Sequence, residues 1–161
     1  SGQKPAGIWR FCLVTIQKKL IEDIERVQKR ATKLVRECKN KSYIERLKYL
    51  ELPTLKFRRL RGDMIEAYKN LTCKYDNSMV LRLQSEYTRT RGNSLKLKTE
   101  RAEYDLRKKF FCCRITKVWN SLPDEVVTAE SINSFKNRLD KHWAQCELYY
   151  DWEAKEPGST Y

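Results

Sequence analysis

Two neighbouring stretches interleave cations with large aromatic side chains more densely than a solvated helix face requires. The first runs from Arg89 to Lys98, and the second, from Arg107 to Leu122, contains Arg-Lys-Lys-Phe-Phe-Cys-Cys-Arg followed by Val-Trp-Asn-Ser-Leu. Arginine forks and lysine point charges suit phosphate oxygens, and a ring among them offers a face on which a base can stack. Phe110, between Lys109, Arg114 and Lys117, is such a ring. The residues expected to contact nucleic acid are Lys29, Arg30, Lys33, Arg58, Arg89, Arg91, Lys96, Lys98, Arg107, Lys108, Lys109, Phe110 and Arg114. Contacts of this kind give affinity without sequence preference. With about six phosphates neutralised on duplex, log K falls against log salt with a slope near −5. The whole chain agrees in sign: 34 Lys+Arg against 21 Asp+Glu over 161 residues leave a formal charge of +13, which favours a polyanionic partner, RNA or DNA.

Other chemistries find little support. The six cysteines (Cys12, Cys38, Cys73, Cys112, Cys113, Cys146) form no CxxC pair, and in the absence of a secretory signal they read as reduced thiols of an intracellular protein, nuclear or cytoplasmic. Cys112, Cys113, His142 and Cys146 do not suit a structural zinc, because adjacent cysteines point to different faces of a helix. No acid/base or nucleophile constellation and no cofactor motif is present, so neither catalysis nor a cofactor is expected. The longest apolar run, Ile8 to Ile16, is interrupted by Arg10 and is too short to span a membrane. An opening of Ser1-Gly2 in place of Met is expected of a fragment of something longer.

The elements that must position these cations are helices. Ser1 to Val14 shows no consistent period and is expected to be irregular. From there Ile16, Leu20, Ile24, Val27, Ala31, Leu34 and Cys38 recur at alternating four- and three-residue steps, the stripe of an amphipathic helix packed in a bundle. Its far side carries Lys18, Lys29, Arg30, Lys33 and Arg36. Ser42-Tyr-Ile-Glu45 is a capping box opening a short helix with Ile44, Leu47 and Leu50 inward, which ends before Pro53. Thr54 caps a third helix, whose stripe is Phe57, Leu60, Met64, Ala67, Tyr68 and Leu71. At the edge of that stripe Arg61 requires a carboxylate or carbonyl if buried. Gly62, which costs about 1 kcal/mol against Ala in mid-helix, reads either as a site of close approach or as a merely exposed glycine.

Ser94 to Thr99 alternates Leu95 and Leu97 with Lys96 and Lys98, the period of a strand, after an Arg91-Gly-Asn93 turn. A helix from about Tyr104 to Ser121 is apolar on two sides, with Phe111, Ile115, Val118 and Leu122 on one and Leu106, Phe110 and Cys113 on the other. Ser131 caps the last helix, with Ile132, Phe135, Leu139, Trp143 and Cys146 inward and His142 at the edge. The fold expected is mainly α: a compact helical domain of about five helices with one short strand or hairpin. It divides into an irregular segment (1–14), the helical domain (15–146) and an acidic, aromatic, frayed tail (147–161).

Five strings occur together and in order: Glu25 to Leu34, Leu52 to Glu66, Thr90 to Leu97, Trp119 to Val127 and Ser134 to Asp140. In that order they resemble the region following the reverse transcriptase domain in LINE-type (non-LTR) retrotransposon endonuclease–reverse transcriptase polyproteins, over roughly Gln17 to Trp143. The chain departs from that pattern before Thr15, after Trp143, at Asn93 where a histidine is common, and at Cys112-Cys113. The resemblance implies an accessory segment that grips RNA template or target DNA beside an upstream reverse transcriptase domain. It carries no catalysis over, since the paired palm aspartates are absent and Tyr75-Asp-Asn77 does not replace them. The rival expectation is a helical protein-interaction module of a co-opted host protein, its charge serving solubility.

Overall fold

The computed structural model describes residues 6–72, 93–98 and 115–158. The fold is mainly helical. Its α-helices are α1 (Ala6–Lys33), α2 (Tyr43–Tyr49), α3 (Leu55–Leu71), a helical stretch at 115–120, α4 (Asp124–Val127) and α5 (Ile132–His142). Turns of 3-10 helix follow α1 at Arg36–Cys38 and α5 at Glu147–Tyr149. Among the described residues no helix is long and apolar enough to cross a membrane. The chain divides into two compact units, one of residues 1–58 with 149–152, the other of residues 59–148 with 153–161.

In the first unit α1 begins at Ala6, so the irregular segment expected through Val14 is helical from there on. α2 has both halves of its capping box: the Glu45 amide donates to the Ser42 hydroxyl (3.3 Å) and the Ser42 amide to the Glu45 carboxylate (2.7 Å). These bonds from Ser42, the backbone one foremost, hold the Glu45 carboxyl below its usual range. α2 closes through Glu51 at φ 52°, with the Leu52 amide reaching back to the Leu47 carbonyl (2.9 Å), a Schellman-type end on a residue other than glycine. Leu47 is buried, but Ile44, expected inward, is exposed. Thr54 caps α3 by accepting from the Phe57 amide (3.2 Å).

The main departure is α1. Its apolar stripe, expected to pack in a bundle, faces outward: Leu20, Ile24, Val27 and Leu34 are 55, 51, 65 and 83% exposed, and Ala31 is exposed with them. The face turned inward is polar. Glu25 is fully buried, its carboxylate accepting from the Tyr43 hydroxyl (2.5 Å) and the Leu55 amide (3.0 Å), so it caps α3 from another helix. Gln28 donates to the Pro53 carbonyl (3.0 Å). Thr32 accepts from Arg46 Nε (3.1 Å) while donating to the Gln28 carbonyl, and Arg46 also donates to the Lys41 carbonyl (2.7 Å). Orphan groups at helix ends must find partners, and α1 satisfies those of the 53–55 corner with its polar side. Burial, then the hydrogen bond to Glu25 and its charge, pushes the Tyr43 phenol well above its usual range.

Of the 147–161 segment, expected as a frayed tail, the described part (147–158) is held by the fold. The Tyr149 carbonyl accepts from the Thr54 amide (2.8 Å), and its ring lies 4.8 Å from that of Phe57.

In the second unit α3 contributes Leu60, Met64, Ala67 and Tyr68 to a core completed by Ile115, Val118, Trp119, Leu122, Phe135, Leu139 and Trp143. Phe135 stacks on Tyr68 (centroids 4.4 Å) and on Trp119 (5.9 Å). Tyr68 donates its hydroxyl to the Ala129 carbonyl. Arg61 finds its carboxylate in a two-pronged pair with Asp140 (2.5 and 2.6 Å). A Cβ at Gly62 would meet nothing within 4 Å, so no close approach explains that glycine. Gly158, at φ +81°, is different: a Cβ there would lie 2.6 Å from Ser121 Oγ.

Asn93 to Lys98 is not a strand: among the described residues there is only an isolated bridge position, Leu97, following a turn at Ser94 and Leu95. A side chain also pairs with this backbone. The Asn120 carboxamide accepts from the Leu97 amide (2.8 Å) and donates to the Leu97 carbonyl (3.0 Å), as a neighbouring strand would.

Candidate nucleic-acid interface

Charge is unevenly distributed between the two units. The first holds 15 Lys+Arg against 7 Asp+Glu, +8 of the total +13, in 62 of the 161 residues. Along α1 the exposed cations Lys19, Arg26, Arg30 and Lys33 recur at seven-, four- and three-residue steps. They form one stripe about 21 Å long at 1.5 Å per residue. Each stands one residue before a member of the outward apolar stripe, so the two run side by side. Arg26 pairs with Asp23 (3.2 Å), both well exposed; among the described residues Lys19, Arg30 and Lys33 pair with no acid. Arg30 and Lys33 in the last turn also complement the carbonyl end of the helix, a local reason for their placement that does not extend to Lys19 or Arg26.

The same unit sets ammonium groups over aromatic rings. Lys29, half-buried, lies 4.3 Å from the centroid of Trp152 and 5.2 Å from that of Tyr43. Lys56 donates to the Trp152 carbonyl (3.3 Å), so α1 and α3 converge on that residue. Lys41 sits 3.5 Å from the centroid of Tyr49, and Lys48 lies 5.9 Å from that of Tyr150. Such contacts order long cationic side chains without neutralising them. Tyr49 is 52% exposed, leaving ring surface open beside its lysine.

Of the residues proposed from sequence, Arg30 and Lys33 share the α1 stripe, Lys29 is turned into the Trp152–Tyr43 pair, and Arg58 is exposed at the start of α3. In the second unit Lys96 is half-buried and Lys98 exposed. Arg89, Arg91, Arg107, Lys108, Lys109, Phe110 and Arg114 lie outside the described residues. Lys19, Arg26, Lys41, Lys48 and Lys56 were missed. The first two could have been found by extending the cation spacing of α1 towards its start. Lys41 depends on a ring eight residues away, Lys48 on a ring of the supposed tail, and Lys56 on the backbone carbonyl of Trp152 in that same segment.

Two of the strings that carry the retrotransposon resemblance pack on each other. The Ser94 amide donates to Asp124 (2.6 Å), Trp119 Nε1 to the Leu95 carbonyl (2.8 Å), and Asn120 clasps Leu97. Asn93, buried, donates to the carbonyls of Trp119 (2.8 Å) and Leu122 (3.0 Å), and among the described residues its Oδ1 has no partner. The Trp-Asn-Ser-Leu-Pro-Asp string thus acts as a clasp that fixes the backbone carrying Lys96 and Lys98. No family model, curated protein or solved structure matches the chain.

Among the described residues no three His, Cys, Asp or Glu side chains are grouped as a metal would need. The buried carboxylate of Glu25 has both oxygens engaged in holding α2 and α3, and His142 is exposed on the last turn of α5. The arrangement can attract and hold an extended polyanion.

Proposed function

We propose that this chain is a non-catalytic nucleic-acid-binding accessory domain, related to the region after the reverse transcriptase in LINE-type retrotransposon polyproteins, which grips the backbone of RNA template or target DNA. The reading rests chiefly on the α1 stripe of Lys19, Arg26, Arg30 and Lys33 in a unit of net charge +8 that also holds lysines against tyrosine and tryptophan rings. Phosphates along a strand meet a row of cations whose spacing is fixed by one rigid helix, and base-edge readout plays no part. The mutual packing of the Asn93–Lys98 and Trp119–Asp124 segments supports the ancestry separately, because it gives those strings a shared physical task.

Fluorescence anisotropy of labelled duplex and single-stranded oligonucleotides across a salt series tests the binding. Affinity that falls steeply with salt and varies little with sequence is expected; affinity indifferent to salt refutes the reading. The non-catalytic part is checked with primer–template, dNTPs and Mg²⁺, where any templated extension overturns it. The rival reading, a protein-interaction module, has one observation of its own, the outward apolar stripe of α1.

A further inference from the structure

We infer that the outward face of α1 is a self-association site on which a second copy of this chain docks, helix against helix and antiparallel. Leu20, Ile24, Val27, Ala31 and Leu34 keep the 4-3-4-3 spacing of a coiled-coil seam, with Ile24 and Ala31 in the first apolar register position and Leu20, Val27 and Leu34 in the second. A helix that merely needed solubility would turn this stripe inward. Here the inward side is already committed to Glu25, Gln28 and Thr32, whose hydrogen bonds hold α2 and the start of α3. The seam and the fold's own contacts therefore occupy different sides of α1, and docking a partner disturbs neither.

Charge selects the occupant and its direction. The open flank of the seam carries Asp23 and Arg30, one heptad apart. Antiparallel pairing matches Ile24 with Val27 and Leu20 with Ala31 across the two copies, large against small in the outer layers. It also brings Asp23 of each copy beside Arg30 of the other, two ion pairs from one self-complementary face. Parallel pairing would set Asp23 against Gln28 and form neither ion pair. The exposed parts of the four residues paired in this register offer on the order of 300–350 Å² per copy, under half a standard interface side, which places the dimer in the weak, micromolar range. The same geometry puts the two cation stripes on one side of the pair. That consequence matters for nucleic acid only if the proposed function holds, whereas dimerisation itself does not depend on it.

The test is sedimentation equilibrium of the whole chain, without nucleic acid, from about 5 to about 500 µM, around the micromolar midpoint expected of an interface this size. A reversible monomer–dimer equilibrium is expected. Ile24→Glu and Val27→Glu place a charge at an exposed position, so each should keep the helical circular dichroism of the parent while raising the dimer Kd at least about 50-fold. Asp23→Arg and Arg30→Asp should each raise it about 10-fold, by turning two attractions into repulsions, and the double exchange should return it to within about threefold of the parent. A chain monomeric throughout overturns the proposal, as does association unchanged by Ile24→Glu. A double exchange that fails to rescue overturns the antiparallel register.

Discussion

Replacing Lys19 and Lys33 together with glutamine removes half of the α1 stripe and leaves the buried face of the helix intact. Both side chains are exposed and make no ion pair among the described residues, so the double variant should fold as the parent does. Each cation that neutralises one phosphate of a duplex contributes about −0.9 to the slope of log K against log salt. The four-residue stripe alone then gives about −3.6, and Arg58, exposed in the same unit, brings it to about −4.5. The variant should lose about 1.8 of that slope. At 0.1 M salt the lost counterion release amounts to about 1.8 decades of affinity, roughly 60-fold or 2.5 kcal/mol; at 0.5 M it shrinks to three- or fourfold. Anisotropy titrations of a labelled 20-base-pair duplex between 50 and 500 mM salt give both lines, which should converge towards 1 M. Lys141→Gln, an exposed cation on the last turn of α5, removes charge without touching the stripe and should leave the slope unchanged. Parallel lines for parent and double variant would refute the reasoning, since an offset independent of salt is not phosphate neutralisation. So would an equal effect from Lys141→Gln, which would make net charge, and not the stripe, the cause.

Four further outcomes follow from the packing. Gly62→Ala should stabilise the chain by about 1 kcal/mol in thermal or denaturant unfolding, because a Cβ there meets open space and the helix gains propensity. Glu51→Gly should add about 0.5–1 kcal/mol by relieving a left-handed residue at the end of α2, and a loss would show that Glu51 earns its place by contacts. Asn120→Ala breaks both bonds to Leu97 and should cost about 2–3 kcal/mol, read as a lower denaturation midpoint at unchanged m-value. Stability should fall on raising the pH above about 10: Tyr43, its folded pKa raised, keeps its proton in the native state after the unfolded chain has released it, and Tyr43→Phe should flatten that limb.

Local signals were legible because neighbours in sequence settle them. The Ser42–Glu45 capping box, the Thr54 and Ser131 caps and the α3 stripe from Phe57 to Tyr68 all follow from spacings of three or four residues. The strand expected at Ser94 to Thr99 failed for a physical reason. Alternation reports which backbone positions are alike; it does not report whether a strand or a side-chain amide satisfies them, and Asn120 lies 23 residues away. The tail was misjudged in the same way, since what holds Tyr149 is the amide of Thr54, which an acidic, aromatic composition does not reveal.

α1 is the instructive case. Its period identified a helix and its stripes correctly, and the stripe was assigned to the interior on the ordinary ground that apolar surface leaves water. That ground decides between burial and exposure only when the competing face has nothing to bind. Here the competing face carries Glu25, whose two oxygens satisfy one phenol and one helix-start amide, and Gln28 and Thr32, which engage a carbonyl and a guanidinium. Leaving those groups unpaired inside the 53–55 corner would cost about 1–3 kcal/mol each, comparable to the gain from burying one aliphatic side chain. Several such bonds together offset most of what burying the stripe within a single copy would contribute, and the apolar face is left for a partner. A helix with a polar inner face, an apolar outer face and a cationic third face is thus consistent with hydrophobic burial, provided that burial is completed between molecules. Under that condition the dimer and the basic surface share one cause: the residues that fasten α1 to its own fold fix where both of its other faces point.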